Sequence, residues 1–319
     1  MGNIHARGKI VVIGAGFVGS TVAYTIMMEK LASEIVLIDI NKEKATGEAV
    51  DMCHGMSYVW RTEVRSGEYS ECADADIIVI TAGVGRKTGQ TRIDLAKINV
   101  SIVRDICGNI MKYAVDPVIL VISNPVDILT YIVREETRLP ASRVIGSGTT
   151  LDTGRMRYLI SERCGVDARD VNAYIVGEHG DTQVPLWSKT NISGRLFRNF
   201  CDECPKKCGK PDLELLHDQT MTAGAQIIAA KGATFFGIAM AAARIVGAVM
   251  NDENAVLTVS SVQSGAYGVS DVALSLPSVI NRTGICRIID IEPDPDEMMK
   301  LAASAESLKT VLAQVYTNA

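Results

Sequence analysis

No stretch of this chain approaches the roughly 18 uninterrupted apolar residues that a membrane-spanning helix needs. Excess positive charge is missing too: 32 Lys and Arg stand against 37 Asp and Glu, and the net −5 disfavours nucleic acid and anionic membranes as partners. The start, Met1-Gly2-Asn3-Ile4-His5-Ala6-Arg7, runs straight into a strand-like segment without a signal-peptide pattern, so the expected location is cytoplasmic. There is no Pro/Ser-rich or charged linker, no internal repeat and no low-complexity segment. What remains, 319 residues with 47% hydrophobic and 22% charged content, suits a soluble body of two closely packed lobes.

Matched cysteine doublets are lacking as well. The eight cysteines are scattered, and Cys107 and Cys164 lie in apolar surroundings, as small buried hydrophobes with free thiols do in a reducing compartment. One cluster departs from this, Cys201, Cys204 and Cys208, with His217 a conceivable fourth ligand. Structural zinc draws on a second matched pair, and none follows, so a solvent-facing loop without metal is preferred over a zinc or redox site.

In the first half, strand and helix signals alternate. Strands are expected at Lys9–Ile13, Glu34–Asp39, Thr62–Gly67, Ile77–Thr81, Val118–Ser123 and Val144–Ser147, with helices at Gly16–Lys30, Lys42–Met52 and Asp94–Ala114. Short β-branched runs separated by helices predict parallel βαβ units and a doubly wound Rossmann sheet of the α/β class. After Gly148 the pattern changes. Helices are expected at Leu151–Cys164, Thr220–Met250 and Pro295–Tyr316, with strand-like pieces at Asn172–Val176, Pro185–Trp187, Arg195–Phe197, Ala255–Val259 and Val272–Val279. This reads as an α+β substrate or catalytic domain, giving 1–147 for the first domain and 148–319 for the second. The Ala- and Gly-rich stretch Thr222–Met250 allows close helix approach, either between subunits or inside the core.

Gly14-Ala15-Gly16-Phe17-Val18-Gly19 follows the strand KIVVI and opens a helix. The first glycine permits a tight turn, the second lets backbone approach a pyrophosphate, and the third allows close helix–strand packing. The helix N-terminus then offers N–H groups to the phosphates. Twenty residues beyond Gly19 stands Asp39, at the end of the next apolar strand. A carboxylate there accepts hydrogen bonds from a ribose 2′-OH and repels a 2′-phosphate, so NAD is favoured over NADP, and Lys44 does not form a phosphate clamp.

Chemistry is expected where Val176-Gly177-Glu178-His179-Gly180-Asp181 follows a strand. Of the four histidines, only His179 sits in a glycine-flanked loop from which a side chain can project into a cleft. Imidazole suits reversible proton transfer near neutral pH. Asp152 is the first choice for the carboxylate that orients it, and Asp181 the second. Two further arginines, Arg86 and Arg92, lie six residues apart in VGRKTGQTRID, directly after the strand Ile77–Thr81. A loop in that position is where an open α/β sheet places its ligand.

The segments VVIGAGFVGS, VLIDI, ITAGVGRKTGQTRIDLAKIN, ISNPVDILTY, GSGTTLDTGRMR, VGEHGDTQVPLWS, KGATFFGIAM, NDENAVLTVS and SLPSVINRTGI resemble, in order and over nearly the whole chain, the L-lactate/malate dehydrogenase family. The framework is similar to its lactate-dehydrogenase-like branch. The resemblance implies that His179 is the general acid/base and that Asp152 holds its ring. It implies that Arg155 grips the substrate C1 carboxylate and that Arg92, on a closing loop, polarises the carbonyl. Asn124 would contact substrate and nicotinamide, with Ser147 beside the nicotinamide amide. Tyr69, Thr81-Ala82-Gly83, Val84 and Ile122 would line the cofactor groove along with Lys44. A homotetramer or dimer is implied as well.

Substrate choice is expected to turn on Arg86. The family's lactate enzymes hold an uncharged glutamine there and its malate enzymes an arginine. A guanidinium neutralises the second carboxylate of oxaloacetate, whereas facing the methyl group of pyruvate it would be desolvated without a partner. Malate/oxaloacetate is therefore preferred over lactate/pyruvate, although Thr234 matches the lactate type. The alternative placement has Arg86 pointing to solvent. In bacterial lactate enzymes activated by fructose 1,6-bisphosphate, an arginine and a histidine hold the effector. Arg157 matches the first, but Asn172 replaces the second, so little or no activation is expected. A non-catalytic NAD-binding sensor is the alternative from another class, and the joint presence of His179, Asp152, Arg92 and Arg155 argues against it.

Overall fold

The computed structural model describes residues 8–85, 91–200 and 211–316, with Arg92 described by its main chain alone. The cluster Cys201, Cys204 and Cys208, and Arg86, lie outside the described residues.

The first half builds strands β1 (Lys9–Ile13), β2 (Glu34–Ile38), β3 (Glu63–Ser66), β4 (Ile77–Ile80), β5 (Val118–Val121) and β6 (Val144–Gly146). Between them run helices α1 (Phe17–Met28), α2 (Lys42–His54), α3 (Arg92–Ile110) and α4 (Val126–Thr137). All six strands pair in parallel in the order β6-β5-β4-β1-β2-β3. β1, β4, β5 and β6 are buried along their whole length, which is why they read as continuous apolar runs rather than alternating ones. Strand order reverses between β1 and β4, and ligands of open α/β sheets bind at the carboxyl ends of such a pair.

Past Gly148 come α5 (Thr150–Cys164), β7 (Val171–Asn172), β8 (Ile175–Val176), β9 (Val184–Pro185), β10 (Asn191–Ile192), β11 (Arg195–Leu196) and α6 (Phe197–Phe200). They are followed by α7 (Leu213–Lys231), α8 (Phe236–Met250), β12 (Ala255–Ser264), β13 (Ser270–Asn281), β14 (Gly284–Ile288) and α9 (Pro295–Tyr316). β12, β13 and β14 form an antiparallel meander that joins the parallel strands, Ser260 of β12 pairing with Gly146 of β6. Among the described residues, nine strands thus form one sheet. One face is packed with residues of α3, α4 and α9, the other with residues of α1, α2 and α8.

Three local expectations are corrected. α4 follows Pro125 where no helix was anticipated; eight of its twelve residues are buried, so its sequence resembles a core strand. The single helix expected over Thr220–Met250 is two. Gly232 adopts φ +85° and its N–H returns to the Ile228 carbonyl at 2.8 Å, ending α7 before α8 starts at Phe236. The small residues of α8 are buried within the chain, in the same core as α1. β14 was not foreseen, and β12 and β13 are longer than their apolar centres.

Candidate active site

The glycine turn is shaped by contacts that tolerate no side chain. Gly14 adopts φ +104°, and a Cβ on Gly19 would lie 1.7 Å from the Gly14 carbonyl oxygen, so β1 and α1 meet only through glycine. A Cβ on Gly16 would meet nothing within 4 Å, and Gly16 begins α1 without a side-chain cap. Open space before uncapped helical N–H groups fits a pyrophosphate. Asp39, just past the end of β2, accepts the Ala15 N–H at 2.6 Å and the Asn41 N–H at 2.8 Å. This fixes one negative charge beside the turn, as a ribose-binding carboxylate requires. Lys44 lies exposed in the first turn of α2. Tyr69 is half-buried after β3; burial chiefly, with nearby groups including Asp39, holds its phenol above the usual range.

A cavity of about 350 Å³ opens beside this turn and brings together residues from both halves of the chain. Val18, Ile122, Asn124 and Ser147 line it from the first half of the chain, and Asp152, Arg155, His179, Asp181 and Thr234 from beyond Gly148. The ring of His179, 26% exposed, places Nδ1 2.5 Å from Asp152 Oδ2, and Asp152 is 3% exposed. Asp152, rather than Asp181, is the carboxylate on the ring. Burial alone would lower the imidazole pKa. The charge and hydrogen bond of Asp152 outweigh it, Asp127 adds to them and Arg155 opposes them, and the group is pushed up to about 9. For Asp152, burial works against the charge, and His179 and Arg155 prevail and hold the carboxyl below its usual range.

Arg155 stands one turn along α5 from Asp152, with Nη1 2.9 Å from Asp152 Oδ1. Its guanidinium reaches α7, where a Cβ on Gly224 would come within 3.3 Å of Nη2. Glycine at 224 leaves room for this fork, a contribution the sequence reading missed. So is that of Asn99, which is buried in α3. Its side chain accepts the Val84 N–H at 2.9 Å and donates to the carbonyls of Val84 at 3.2 Å and Asn124 at 2.7 Å. It thereby ties the segment after β4, including Gly83, to Asn124. The one available signal was an amide on the otherwise apolar helical stripe Ala96, Val100, Val103.

Other expected residues are placed elsewhere or lie beyond description. Arg92 is the first residue of α3, after a Thr91–Asp94 capping box, but its side chain falls outside the described residues, as does all of Arg86. His217 lies on α7, and burial lowers its pKa. Among the described residues, no group of three His, Cys, Asp or Glu could hold a metal ion. Arg157 donates to the Ala173 carbonyl at 3.2 Å and lies over the Tyr174 ring, while Asn172 contacts Asn191. Cys107 and Cys164 are buried and in no disulfide, and burial pushes the Cys107 thiol up to about 12.

The two halves match two descriptions of one family. Residues 8–146 match its lactate/malate dehydrogenase NAD-binding domain and residues 149–318 its α/β C-terminal domain. The chain belongs to the lactate/malate dehydrogenase family. It is an NAD-dependent 2-hydroxy-acid dehydrogenase with a Rossmann sheet and an α/β C-terminal domain, and NAD is its cofactor. It is 47% identical over 312 residues to an L-lactate dehydrogenase of Acetivibrio thermocellus, covering 98% of each chain. To an L-lactate dehydrogenase of Clostridium perfringens it is 45% identical over 305 residues, 96% of each. Among solved structures, it is similar to the ligand-bound minor L-lactate dehydrogenase of Enterococcus mundtii, with TM-score 0.93 and 44% identity over 97% of this chain and 99% of that one. A lactate dehydrogenase from a Medee basin deep-sea metagenome library gives TM-score 0.94 at 40% identity, over 98% and 99%.

Proposed function

We propose that this dehydrogenase interconverts pyruvate and L-lactate. The observation that carries the choice is the name L-lactate dehydrogenase, borne by relatives 47% and 45% identical along nearly their full length. The cavity supports it. Arg155 is the one Lys or Arg lining it among the described residues, which suits one carboxylate, and Ile228, Thr234 and Ile238 leave an uncharged wall. The preference for oxaloacetate drawn from the sequence has no counterpart among these relatives. It stands as a second reading on one observation, the identity of Arg86, whose guanidinium would pair with a distal carboxylate.

In this reading His179 gives its proton to the carbonyl oxygen of the 2-oxo acid and recovers it in the reverse direction. Asp152 holds the ring through Nδ1 and balances the imidazolium. Arg155 orients the C1 carboxylate with its planar fork, and Arg92, at the start of α3, polarises the carbonyl. Asn124 and Ser147 serve the nicotinamide end of the groove, and Thr234 the wall beside the substrate. Gly14, Gly16, Val18 and Gly19 receive the pyrophosphate and Asp39 the ribose, with Lys44, Tyr69, Gly83, Val84 and Ile122 along the groove. When bound, NADH supplies the hydride for the carbonyl carbon. A division into 1–147 for the cofactor and 148–319 for catalysis, a homotetramer or dimer, and a cytoplasmic location belong to the same proposal.

One kinetic comparison tests the substrate. With NADH, pyruvate is expected to give a higher kcat/KM than oxaloacetate. A higher value for oxaloacetate, falling roughly 10- to 100-fold in Arg86→Gln, would replace this reading with the malate one.

A further inference from the structure

Asp127 is a buried carboxylate near the start of α4, in the segment ISNPVDILTY three residues beyond Asn124. Its two oxygens serve distant parts of the chain. Oδ2 accepts the main-chain N–H of His179 at 2.7 Å, 52 residues away, and Oδ1 accepts the Ser260 hydroxyl at 2.6 Å, 133 residues away. One side chain thus ties α4, the histidine loop and β12 together.

A carboxylate is a costly choice for a purely structural tie. Burial penalises its charged form and pushes the group up to about 6, against the opposing pull of Ser260 and the His179 N–H. The neighbouring tie in the same loop does without charge: the Ser304 hydroxyl, on α9, accepts the Glu178 N–H at 2.9 Å. A charge kept where a neutral group would make the same bond points to an electrostatic task. The charge of Asp127 acts on the imidazolium of His179, whose ring Asp152 holds at Nδ1.

We propose that Asp127 is a positioning residue for the reaction, fixing His179 against Asp152 through the main chain and setting a second negative charge against the imidazolium. The charged groups around this arrangement are Asp127 on α4, Asp152 and Arg155 on α5, and Glu178 in the loop. Arg155 opposes the imidazolium, and Glu178 opposes the charge on Asp127. The proposal rests on the reading of His179 as the proton carrier.

Asp127→Asn removes the charge and keeps the shape, its amide oxygen able to accept the His179 N–H and its NH2 to donate to Ser260 Oγ. The pH dependence of kcat/KM for the 2-oxo acid is measured in the parent, D127N and H179Q, with NADH affinity followed by fluorescence. H179Q is expected to be inactive. D127N is expected to keep NADH affinity within about twofold, to lose kcat on the order of 10-fold, and to bring the alkaline limb down by roughly one pH unit. A merely structural role would change activity without moving that limb. An unmoved limb in D127N beside an inactive H179Q overturns the proposal and leaves the proton-carrier reading intact. A fully active H179Q overturns that reading and this proposal with it. If D127N fails to fold, Asp127→Ser, neutral and with room for a bridging water, carries the same test with the same expected shift.

Discussion

At the scale of single residues, the pair of His179 and Asp152 makes a statement about pH. With the imidazole pushed up to about 9, reduction of the 2-oxo acid keeps its proton donor through neutral pH and loses it as pH rises through that value. Oxidation of the hydroxy acid, which needs the neutral ring, rises over the same range. Asp152→Asn is expected to bring the alkaline limb down toward the ordinary histidine range and to cost at least roughly 100-fold in kcat, read from the same profiles. Stability at Asp127 runs the other way from activity. Its folded pKa of about 6 lies above the reference 3.8, so its contribution is full below 3.8 and lost as pH rises through 6. At pH 8 the buried charge then costs the native state on the order of 3 kcal/mol. D127N is therefore expected to melt no lower than the parent at pH 8 while turning over more slowly; a large fall in Tm would contradict this. Much of the site was legible because His179, Asp152, Arg155, Asn124, Ser147 and Thr234 sit in motifs that can be read locally. Asp127, Asn99 and Gly224 were not, since each matters through a partner far away in sequence.

Among elements, legibility followed burial pattern and punctuation. The parallel strands announced themselves as apolar runs between helices, and α9 covers the span expected for it, Pro295–Tyr316. α4 did not, because its first five residues, Val126–Thr130, are all buried and read as a short core strand. α7 and α8 merged in the sequence because helical composition continues on both sides of Gly232, whose positive φ begins the four-residue break between them. Two glycines give a controlled comparison. Gly146→Ala would set a methyl group 2.3 Å from Thr130 Oγ1 and 2.9 Å from Ser260 Cβ, at the seam between the parallel and antiparallel strands. A cost of about 1–3 kcal/mol in urea unfolding is expected, with lost activity because Ser147 is the next residue. Gly232→Ala meets open space and strains only its φ, so about 1 kcal/mol is expected, with activity largely kept.

For the molecule as a whole, charge sets the limits of stability. Near the amino ends of β1, β2 and β3, Lys9 pairs with Glu71 at 2.7 Å and Asp74 at 2.8 Å, and Arg65 holds Glu34 and Glu71, each at 2.6 Å. Arg65 first, then Lys9, pull Glu71 down to about 2 from 4.5, so its contribution is present above 4.5 and lost as pH falls through 2. His179, raised from 6.5 to about 9, contributes fully below 6.5, and that contribution disappears as pH rises through 9. A plot of Tm against pH is expected to flatten on its acid side in Glu71→Gln and on its alkaline side in His179→Gln. No helix among the described residues is long and apolar enough to cross a membrane.

The seam at Gly146 and Ser260 bears on how the gene product could be cut. Because β12 pairs with β6 at Ser260 and Gly146, a fragment stopping at residue 147 would bare that edge of a buried strand. Such an edge invites pairing with other copies, so the amino-terminal piece made alone is expected to precipitate rather than behave as an exchangeable module.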